Sequence, residues 1–359
     1  MELIEHTKRR KMMLRLPSHI FPIVFSSALS SPKLSTKLYA SMSSSSVHKI
    51  LVISKEGLED YKNILTHYKT TLPNDPEVYF TDCVDQQLAS QCNIWFGSPS
   101  LIAPLLKQGV IPEWVQSTWA GVEPYVVEDM PTSYQLTNMR GIFNDLIAEY
   151  AVGHMMSHAL NVRLHVQTNA ERNWNPVAPQ RIAGKTAGIL GVGEIGSQVA
   201  RLCKASGMKV YGYTRSSEDC EHVDQYFHGS LEEMAPHVDY WVNIMPNTPS
   251  TIDVLNKTIF DKMKDGAVVI NAGRGKAIVD SDLLEALDSG KVNAAILDVF
   301  RQEPLPASSE YWTHPKVLVT SHTAAPTEPK DAVPVFLENY QRFCTGESLH
   351  YQVDFERRY

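Results

Sequence analysis

Cysteine is scarce in this chain, and its cysteines are scattered. The 359 residues include five, with no C-x-x-C pair among them: Cys83, Cys92, Cys203, Cys220 and Cys344. A disulfide framework needs an even set of cysteines, and a zinc site needs closely spaced ligands. The pattern fits neither, and it predicts reduced thiols in a reducing compartment.

Long apolar runs and basic stretches are also lacking in the body of the chain. No run reaches the roughly 18 residues that a membrane span needs. The net charge is −7 and the isoelectric point is near 6.0, so the electrostatic footprint of a nucleic-acid-binding protein is missing. We therefore expect no membrane and no nucleic acid as a partner. With 43% hydrophobic residues, the chain can form two globular cores.

Acidic residues are missing between Glu5 and Glu56, where the chain is basic and serine-rich. This composition over residues 1–46 is typical of an organelle transit peptide, and the short apolar patch with Pro22 is poor for a secretory signal. Alternatively, Met42 starts the mature chain and the upstream stretch is a disordered leader. The expected location is mitochondrial or another organelle in the first case and cytoplasmic in the second.

After this leader, β-branched apolar runs alternate with stretches of helical periodicity. Strands are predicted over 50–53, 78–80, 94–96 and 114–118, with covering helices over 61–68, 83–90 and 101–107. This alternation is typical of an open parallel α/β sheet. It predicts a small, flavodoxin-like first domain over 47–141. One long helix is then predicted over 143–168, long enough to connect two domains.

A second α/β series predicts a larger domain over residues 142–322. Its six strands are expected at 186–190, 209–213, 240–244, 267–271, 294–298 and 317–320. Six such strands match a doubly wound Rossmann domain that binds a dinucleotide. The last helix, over 333–345, is too little for another domain. We therefore expect residues 323–359 to complete the first domain, which is then built from both chain ends.

A glycine-rich turn lies between the first strand and the first helix of this series. Its sequence is Gly191-Val-Gly-Glu-Ile-Gly196. Glycines permit a tight turn and a close approach of the backbone to a pyrophosphate, which the helix N-terminus attracts. The predicted cofactor-binding residues here are Gly191, Gly193, Glu194, Ile195 and Gly196. A plain strand-turn-helix connection is the alternative explanation.

The end of the next strand reads Thr214-Arg215-Ser216 and lacks the carboxylate that commonly binds the ribose of NAD. These three side chains offer a positive charge and hydroxyl donors suited to a 2′-phosphate. The segment therefore predicts NADP as the cofactor, with NAD as the weaker possibility. A surface arginine with no ligand is the alternative, because Glu218 and Asp219 reduce the local positive charge.

Three further segments follow later strands of the series: 271–280, 297–306 and 319–325. Together with the glycine turn and Asn138-Met-Arg-Gly141, they resemble the D-2-hydroxyacid dehydrogenase family over residues 47–345. Arg215 and the stretch 163–176 make the glyoxylate and hydroxypyruvate reductase branch the most similar. The resemblance implies a dehydrogenase that acts on a small 2-hydroxy or 2-keto acid, and a homodimer.

The resemblance also implies a catalytic trio of Arg274, Glu303 and His322, and the chemistry of each residue suits that role. A planar guanidinium at Arg274 can hold the carboxylate of a keto acid and polarise its carbonyl. His322 can protonate the carbonyl oxygen as a general acid. A carboxylate such as Glu303, beside the other ring nitrogen, would fix its tautomer and raise its pKa.

The same resemblance extends the predicted binding sites. At the nicotinamide end it implies the cofactor-binding residues Met245, Pro246, Asn247, Ala272, Gly273, Asp298 and His322. The loop after the fourth strand can supply backbone donors to a carboxylate, and with Arg274 it predicts the substrate-binding residues Trp119, Ala120 and Gly121. Two departures from the family pattern leave the size and shape of the pocket open: Trp119 stands where smaller residues are usual, and Glu123 stands where the family commonly has aspartate. Ser321 replaces the usual proline before the histidine, which is expected to affect the aim of His322 without removing a catalytic group.

A metal is not expected. His154 and His158 have the spacing of metal ligands on a helix, but the glutamate that a zinc protease needs after the first histidine is replaced by Met155. The predicted function is NADPH-dependent reduction of a small 2-keto acid, such as glyoxylate or hydroxypyruvate, to a D-2-hydroxy acid. Two alternatives stay open: a cofactor-sensing binding protein of the corepressor type, and a dehydrogenase for a bulkier 2-keto acid.

Overall fold

The structure is a computed structural model that describes residues 47–215 and 217–358. The leader predicted over 1–46, and the predicted cofactor contact Ser216, lie outside the described residues. The described chain forms two parallel sheets with covering helices, which confirms the predicted α/β class. Within this part of the chain, no helix is long and apolar enough to cross a membrane.

The first sheet contains five parallel strands in the order β2-β1-β3-β4-β5, the order of a flavodoxin-like sheet. Its strands are β1 (Lys49–Ile53), β2 (Glu77–Thr81), β3 (Ile94–Gly97), β4 (Trp114–Ser117) and β5 (Gln135–Thr137). The helices in this part of the chain are α1 (Leu58–Tyr68), α2 (Gln86–Ala89) and α3 (Pro99–Lys107). Strands β1, β3 and β4 are almost wholly buried, as continuous apolar runs in a parallel sheet should be.

The second sheet contains seven parallel strands in the order β12-β11-β10-β9-β6-β7-β8. Its strands are β6 (Thr186–Leu190), β7 (Lys209–Tyr213), β8 (Gln225–Phe227), β9 (Tyr240–Asn243), β10 (Ala267–Asn271), β11 (Val292–Leu297) and β12 (Val317–Val319). The remaining helices are α4 (Asn144–Ala159), α5 (Val162–Ala170), α6 (Glu194–Ala205), α7 (Leu231–Met234), α8 (Lys257–Lys262), α9 (Asp280–Asp288) and α10 (Pro329–Thr345). The strand order reverses at β6, as in a doubly wound dinucleotide-binding sheet.

Four elements differ from the sequence prediction. The long helix predicted over 143–168 is wrong, because the chain breaks into α4 and α5 at Asn161, whose φ of 55° is left-handed. Asparagine accepts that conformation more readily than most residues, and periodicity does not report it. The second helix is only four residues long. Strands β5 and β8 were not predicted, because each has three residues at a sheet edge and little apolar pattern.

Helix α10, near the C-terminus, packs on the first sheet. The ring of Phe336 stacks on Phe96 of β3 with centroids 4.5 Å apart, and on Trp114 of β4 at 5.4 Å. Buried Asn339 donates to the Oε1 atom of Gln116 at 3.0 Å. A buried amide pair of this kind fixes the helix in one register, because a shift would leave both groups unsatisfied. The chain therefore returns to the first sheet after the last strand of the second.

Candidate active site

The predicted site residues follow the carboxyl ends of strands in the second sheet. The glycine turn follows β6, Met245 lies two residues beyond β9, and Arg274 lies three residues beyond β10. Asp298 directly follows β11, and His322 lies in the loop after β12. Carboxyl ends of parallel strands meet at one edge of a sheet, and ligands of this fold bind there, where the strand order reverses. The fold thus gathers at one edge residues that are far apart in sequence.

The glycine turn has the shape that a pyrophosphate needs. Gly191 has a left-handed φ of 96°, and a Cβ on Gly196 would collide with the carbonyl oxygen of Gly191. A Cβ on Gly193 would meet no described atom within 4 Å, so internal packing does not require glycine there. α6 begins at Glu194, directly after this turn, and the N–H groups of a first helical turn attract phosphate. The backbone of the glycine turn and of the first turn of α6, which includes Ile195, therefore fits the pyrophosphate of a dinucleotide.

Two buried asparagines hold the backbone beside this turn. The amide of Asn243, at the end of β9, donates to Oδ1 of Asn271, at the end of β10, at 2.9 Å. Oδ1 of Asn243 then accepts the N–H of Met245 at 3.2 Å, and Oδ1 of Asn271 accepts that of Gly273 at 3.2 Å. The pair therefore sets the conformation of both segments predicted to meet the cofactor. Neither role was predicted from the sequence, although a polar residue at the end of an apolar strand is a signal for it.

Arg274 is held by contacts on two sides. Its Nε donates to Oε1 of Glu123 at 2.6 Å, and its Nη1 donates to the carbonyl of Gly273 at 2.8 Å. Nη2 lies against Gly121, where a Cβ would clash with it. Burial opposes the ionisation of Glu123, but the charge and hydrogen bond of Arg274 outweigh it and hold the pKa of Glu123 below its usual value. The guanidinium is thus oriented by an ionised carboxylate from the first-sheet loop.

His322 and Glu303 form a second charged pair. The Nδ1 atom of His322 lies 2.7 Å from Oε2 of Glu303, whose Oε1 accepts the N–H of Phe300 at 2.9 Å. The hydrogen bond to Glu303 raises the pKa of His322 above its ordinary value, although burial and the charge of Arg274 oppose the shift. Burial works against ionisation of Glu303, but bonds from His322 and Phe300 keep the pKa of Glu303 low. The pair therefore favours an imidazolium beside a carboxylate.

The loop that carries His322 has an unusual backbone. Ser321 and His322 are consecutive left-handed residues, with φ values of 56° and 58°. Buried Asp298 supports the loop, because its Oδ1 accepts the hydroxyl of Thr320 at 2.6 Å and the N–H of Thr323 at 2.8 Å. Its backbone carbonyl accepts the N–H of His322 at 2.7 Å. Non-glycine residues hold this conformation only where the surroundings determine it, and here Asp298 does so.

The predicted substrate loop follows β4 and faces Arg274 through Gly121. The N–H of Trp119 donates to Oγ of Ser117 at 3.1 Å, and the Trp119 side chain is 44% exposed. The carbonyl of Ala120 accepts the amide of Asn138 at 2.7 Å. The structure therefore brings Gly121 and Glu123 to the guanidinium. From the sequence, Glu123 was noted only as a departure from the family pattern, and its pairing with Arg274 was not predicted.

The remaining predicted cofactor contacts lie at the same edge. Met245 is buried, Pro246 is exposed, and Asn247 and Ala272 are half-buried. At the end of β7, the N–H of Thr214 donates to the carbonyl of Phe227 at 3.2 Å, and Arg215 is exposed. Over the described ranges, no group of three His, Cys, Asp or Glu side chains could hold a metal. His158 instead contacts Tyr240 and Asn293 through its two ring nitrogens.

The chain is similar to known proteins in sequence and in structure. The family model for the D-isomer specific 2-hydroxyacid dehydrogenase, NAD binding domain, matches residues 152–324. A glyoxylate/hydroxypyruvate reductase A of Klebsiella pneumoniae subsp. pneumoniae is 35% identical over 213 residues, which cover 59% of this chain and 68% of the relative.

Two solved structures extend the similarity beyond that domain. A D-isomer specific 2-hydroxyacid dehydrogenase family protein of Aeromonas salmonicida has a TM-score of 0.82 and 35% identity, covering 86% of this chain and all of the other. An NADPH-dependent glyoxylate/hydroxypyruvate reductase of Sinorhizobium meliloti, solved with NADP and sulfate, has a TM-score of 0.75 and 28% identity. That match covers 87% of this chain and all of the other.

Proposed function

The chain belongs to the D-isomer specific 2-hydroxyacid dehydrogenase family, and on that premise we propose that it reduces a small 2-keto acid, such as glyoxylate or hydroxypyruvate, to a D-2-hydroxy acid. The observation that carries the proposal is the charged cluster of Arg274, Glu123, His322 and Glu303. Both pairs lie at the carboxyl edge of the second sheet, and the charge of Arg274 lowers the pKa of both His322 and Glu303. A fixed cation beside a proton donor suits a substrate with a carboxylate next to a ketone.

Each residue of the cluster has a separate task in this proposal. Arg274 binds the carboxylate of the keto acid through its fork of N–H donors and polarises the carbonyl. Glu123 holds the guanidinium in place from the other side. His322 donates its Nε2 proton to the carbonyl oxygen, because its Nδ1 is engaged by Glu303. Glu303 stabilises the imidazolium before transfer, and the nicotinamide cofactor, when bound at this edge, supplies the hydride.

We assign cofactor binding to residues 142–322, and substrate binding mainly to 47–141 together with 323–359. The glycine turn would hold the pyrophosphate, with Met245, Pro246, Asn247, Ala272 and Gly273 along the nicotinamide end. Asp298 would act there mainly by holding the His322 loop. NADP is the preferred cofactor, because Thr214 and Arg215 take the place of a ribose-binding carboxylate. Two relatives solved with NADP or NADPH support this choice.

We propose that the protein is a homodimer. Large apolar side chains are exposed on α4, on α5 and on the chain that follows them. We call this the α4–α5 surface: Leu146, Met156, Leu160, Val162, Val166 and Trp174. Val166 is 65% exposed and Trp174 is 93% exposed. Several large apolar side chains exposed on successive elements are typical of a protein interface, and a second copy of the chain is the partner that the family resemblance implies.

A steady-state screen tests the reaction. Glyoxylate, hydroxypyruvate and bulkier 2-keto acids are each assayed with NADPH and with NADH, on the wild type and on Arg274→Ala and His322→Gln. We expect turnover of a small keto acid with NADPH, lost by about 10³-fold or more in both variants. Arg357→Ala and His67→Gln, at exposed positions, serve as matched controls. NADPH binding without turnover of any keto acid would instead favour the corepressor-type alternative.

A further inference from the structure

His228, which directly follows β8, contacts the loop that carries the predicted 2′-phosphate contacts. The Nδ1 atom of His228 lies 2.9 Å from the carbonyl oxygen of Thr214, and its Nε2 lies 2.6 Å from Oε1 of Glu218. Both oxygens can only accept hydrogen bonds. The imidazolium is the form of the ring that donates to both, so His228 is a cation in this arrangement.

This cation changes the electrostatics of the loop. A carboxylate close behind the second strand of a dinucleotide-binding sheet normally accepts bonds from the ribose of NAD and repels a 2′-phosphate. Glu218 lies in that loop, but His228 neutralises it. The other nearby acid, Asp219, accepts the hydroxyl of Ser217 at 2.7 Å. Glu218 and Asp219, the two acids that argue against NADP in the sequence, therefore both accept hydrogen bonds from nearby side chains.

Strand β8 also fixes the path of the loop. The ring of Tyr226 is nearly parallel to that of His228, at an interplanar angle of 6°. The hydroxyl of Tyr226 accepts the N–H of Cys220 at 3.0 Å, and it lies 3.2 Å from the carbonyl of the same residue. His228 and Tyr226 thus hold the loop at three points, which lie on both sides of Arg215 in the sequence: Thr214, Glu218 and Cys220.

We propose that His228 is a specificity-determining residue for the cofactor. It withdraws Glu218 from the ribose and adds a positive charge to the loop, so the site accepts a phosphorylated ribose in preference to a free one. This inference rests on the proposed function only in taking NADP as the cofactor. It concerns how the cofactor binds and does not depend on the reduction of the keto acid. A histidine that merely stabilised the loop would affect phosphorylated and unphosphorylated cofactors alike.

Equilibrium binding of NADP⁺ and NAD⁺, measured by calorimetry without any keto acid, tests the proposal. We expect His228→Ala to weaken NADP⁺ binding about tenfold, the loss typical of one charge-assisted contact, while NAD⁺ binding stays within about twofold. Adding Glu218→Gln to this variant removes the unpaired carboxylate and should restore NADP⁺ binding to within about threefold. His350→Ala, which breaks an exposed pair with Glu338 at 3.0 Å, is the matched control.

Two results would overturn the proposal: equal weakening of both cofactors in His228→Ala, or no recovery in the double variant. Unfolding temperatures of all variants, measured alongside, show whether the chain is folded. If no keto acid is turned over but His228→Ala changes the ratio of the NADP⁺ and NAD⁺ dissociation constants, only the proposed reaction is contradicted. If a keto acid is turned over but His228→Ala leaves that ratio unchanged, only the role of His228 is contradicted.

Discussion

Glu123 and Arg274 are 151 positions apart in sequence and meet at 2.6 Å, between Oε1 of the carboxylate and Nε of the guanidinium. One follows the fourth strand of the first sheet, and the other follows β10 in the second. The pair therefore links the loop of one sheet to the edge of the other. The pair occupies Nε, and Nη1 is bonded to the carbonyl of Gly273.

Replacing this carboxylate should weaken substrate binding. In Glu123→Gln the guanidinium keeps its charge but loses its charged partner, so we expect kcat/KM for the keto acid to fall about 10- to 100-fold, mostly through KM. Glu123→Asp should retain part of the activity. The control is Glu128→Gln, at an exposed position of the same segment. Wild-type kinetics in Glu123→Gln would exclude an orienting role.

The pH profile of the reduction should report His322. In the proposed reaction the protonated imidazole is the active form, so kcat/KM for reduction should be constant at low pH and fall as pH rises through the pKa of His322. The hydrogen bond to Glu303 raises that pKa above the ordinary histidine value. In Glu303→Gln the inflection should move to lower pH, because the charge that supports the imidazolium is gone.

The pH dependence of the reverse reaction, oxidation of the hydroxy acid, is the control for the pH profile of the reduction. The oxidation needs the neutral imidazole as a base, so its rate should rise with pH over the same interval. Matching inflections in the two directions would assign them to His322. An inflection that stays in place in Glu303→Gln would show that another group titrates.

The backbone of the His322 loop predicts a loss of activity for one substitution of Ser321 and no loss for another. Proline holds φ near −65°, whereas Ser321 has a φ of 56°. Ser321→Pro should therefore displace His322 and lower kcat by about tenfold or more. Ser321→Gly should keep the activity, and it should not lower the unfolding temperature, since glycine adopts this conformation without strain. Equal activities of the two variants would contradict the observed loop geometry.

The α4–α5 surface predicts the oligomeric state. Val166→Asp places a charge in the proposed interface, and we expect it to shift the protein from dimer to monomer in sedimentation velocity experiments. Val84→Asp is the matched control, because Val84 is exposed at 38% and lies after β2 in the first-sheet part of the chain. A wild type that sediments as a monomer would remove the basis of this proposal.

Much of this arrangement follows from local sequence. The alternation of apolar runs and helical stretches predicts both sheets, since burial on both faces of a parallel strand leaves a continuous hydrophobic signal. The glycine turn is also local, because turn, strand and helix occupy about 20 consecutive residues. Short edge strands such as β5 and β8 leave weak signals, and the break at Asn161 depends on one residue in a left-handed conformation.

The amino-acid sequence by itself determined the α/β class and the cofactor turn, because each depends on neighbours along the chain. The candidate catalytic residues came from the family resemblance of the segments that follow the strands. Only the tertiary structure decided which groups act together: Glu123 with Arg274, Asn243 with Asn271, and His228 with Glu218. These pairs join different strands and loops, so they depend on strand order and register. A local sequence pattern does not specify strand order or register, so the partners of the charged groups become known only from the tertiary structure.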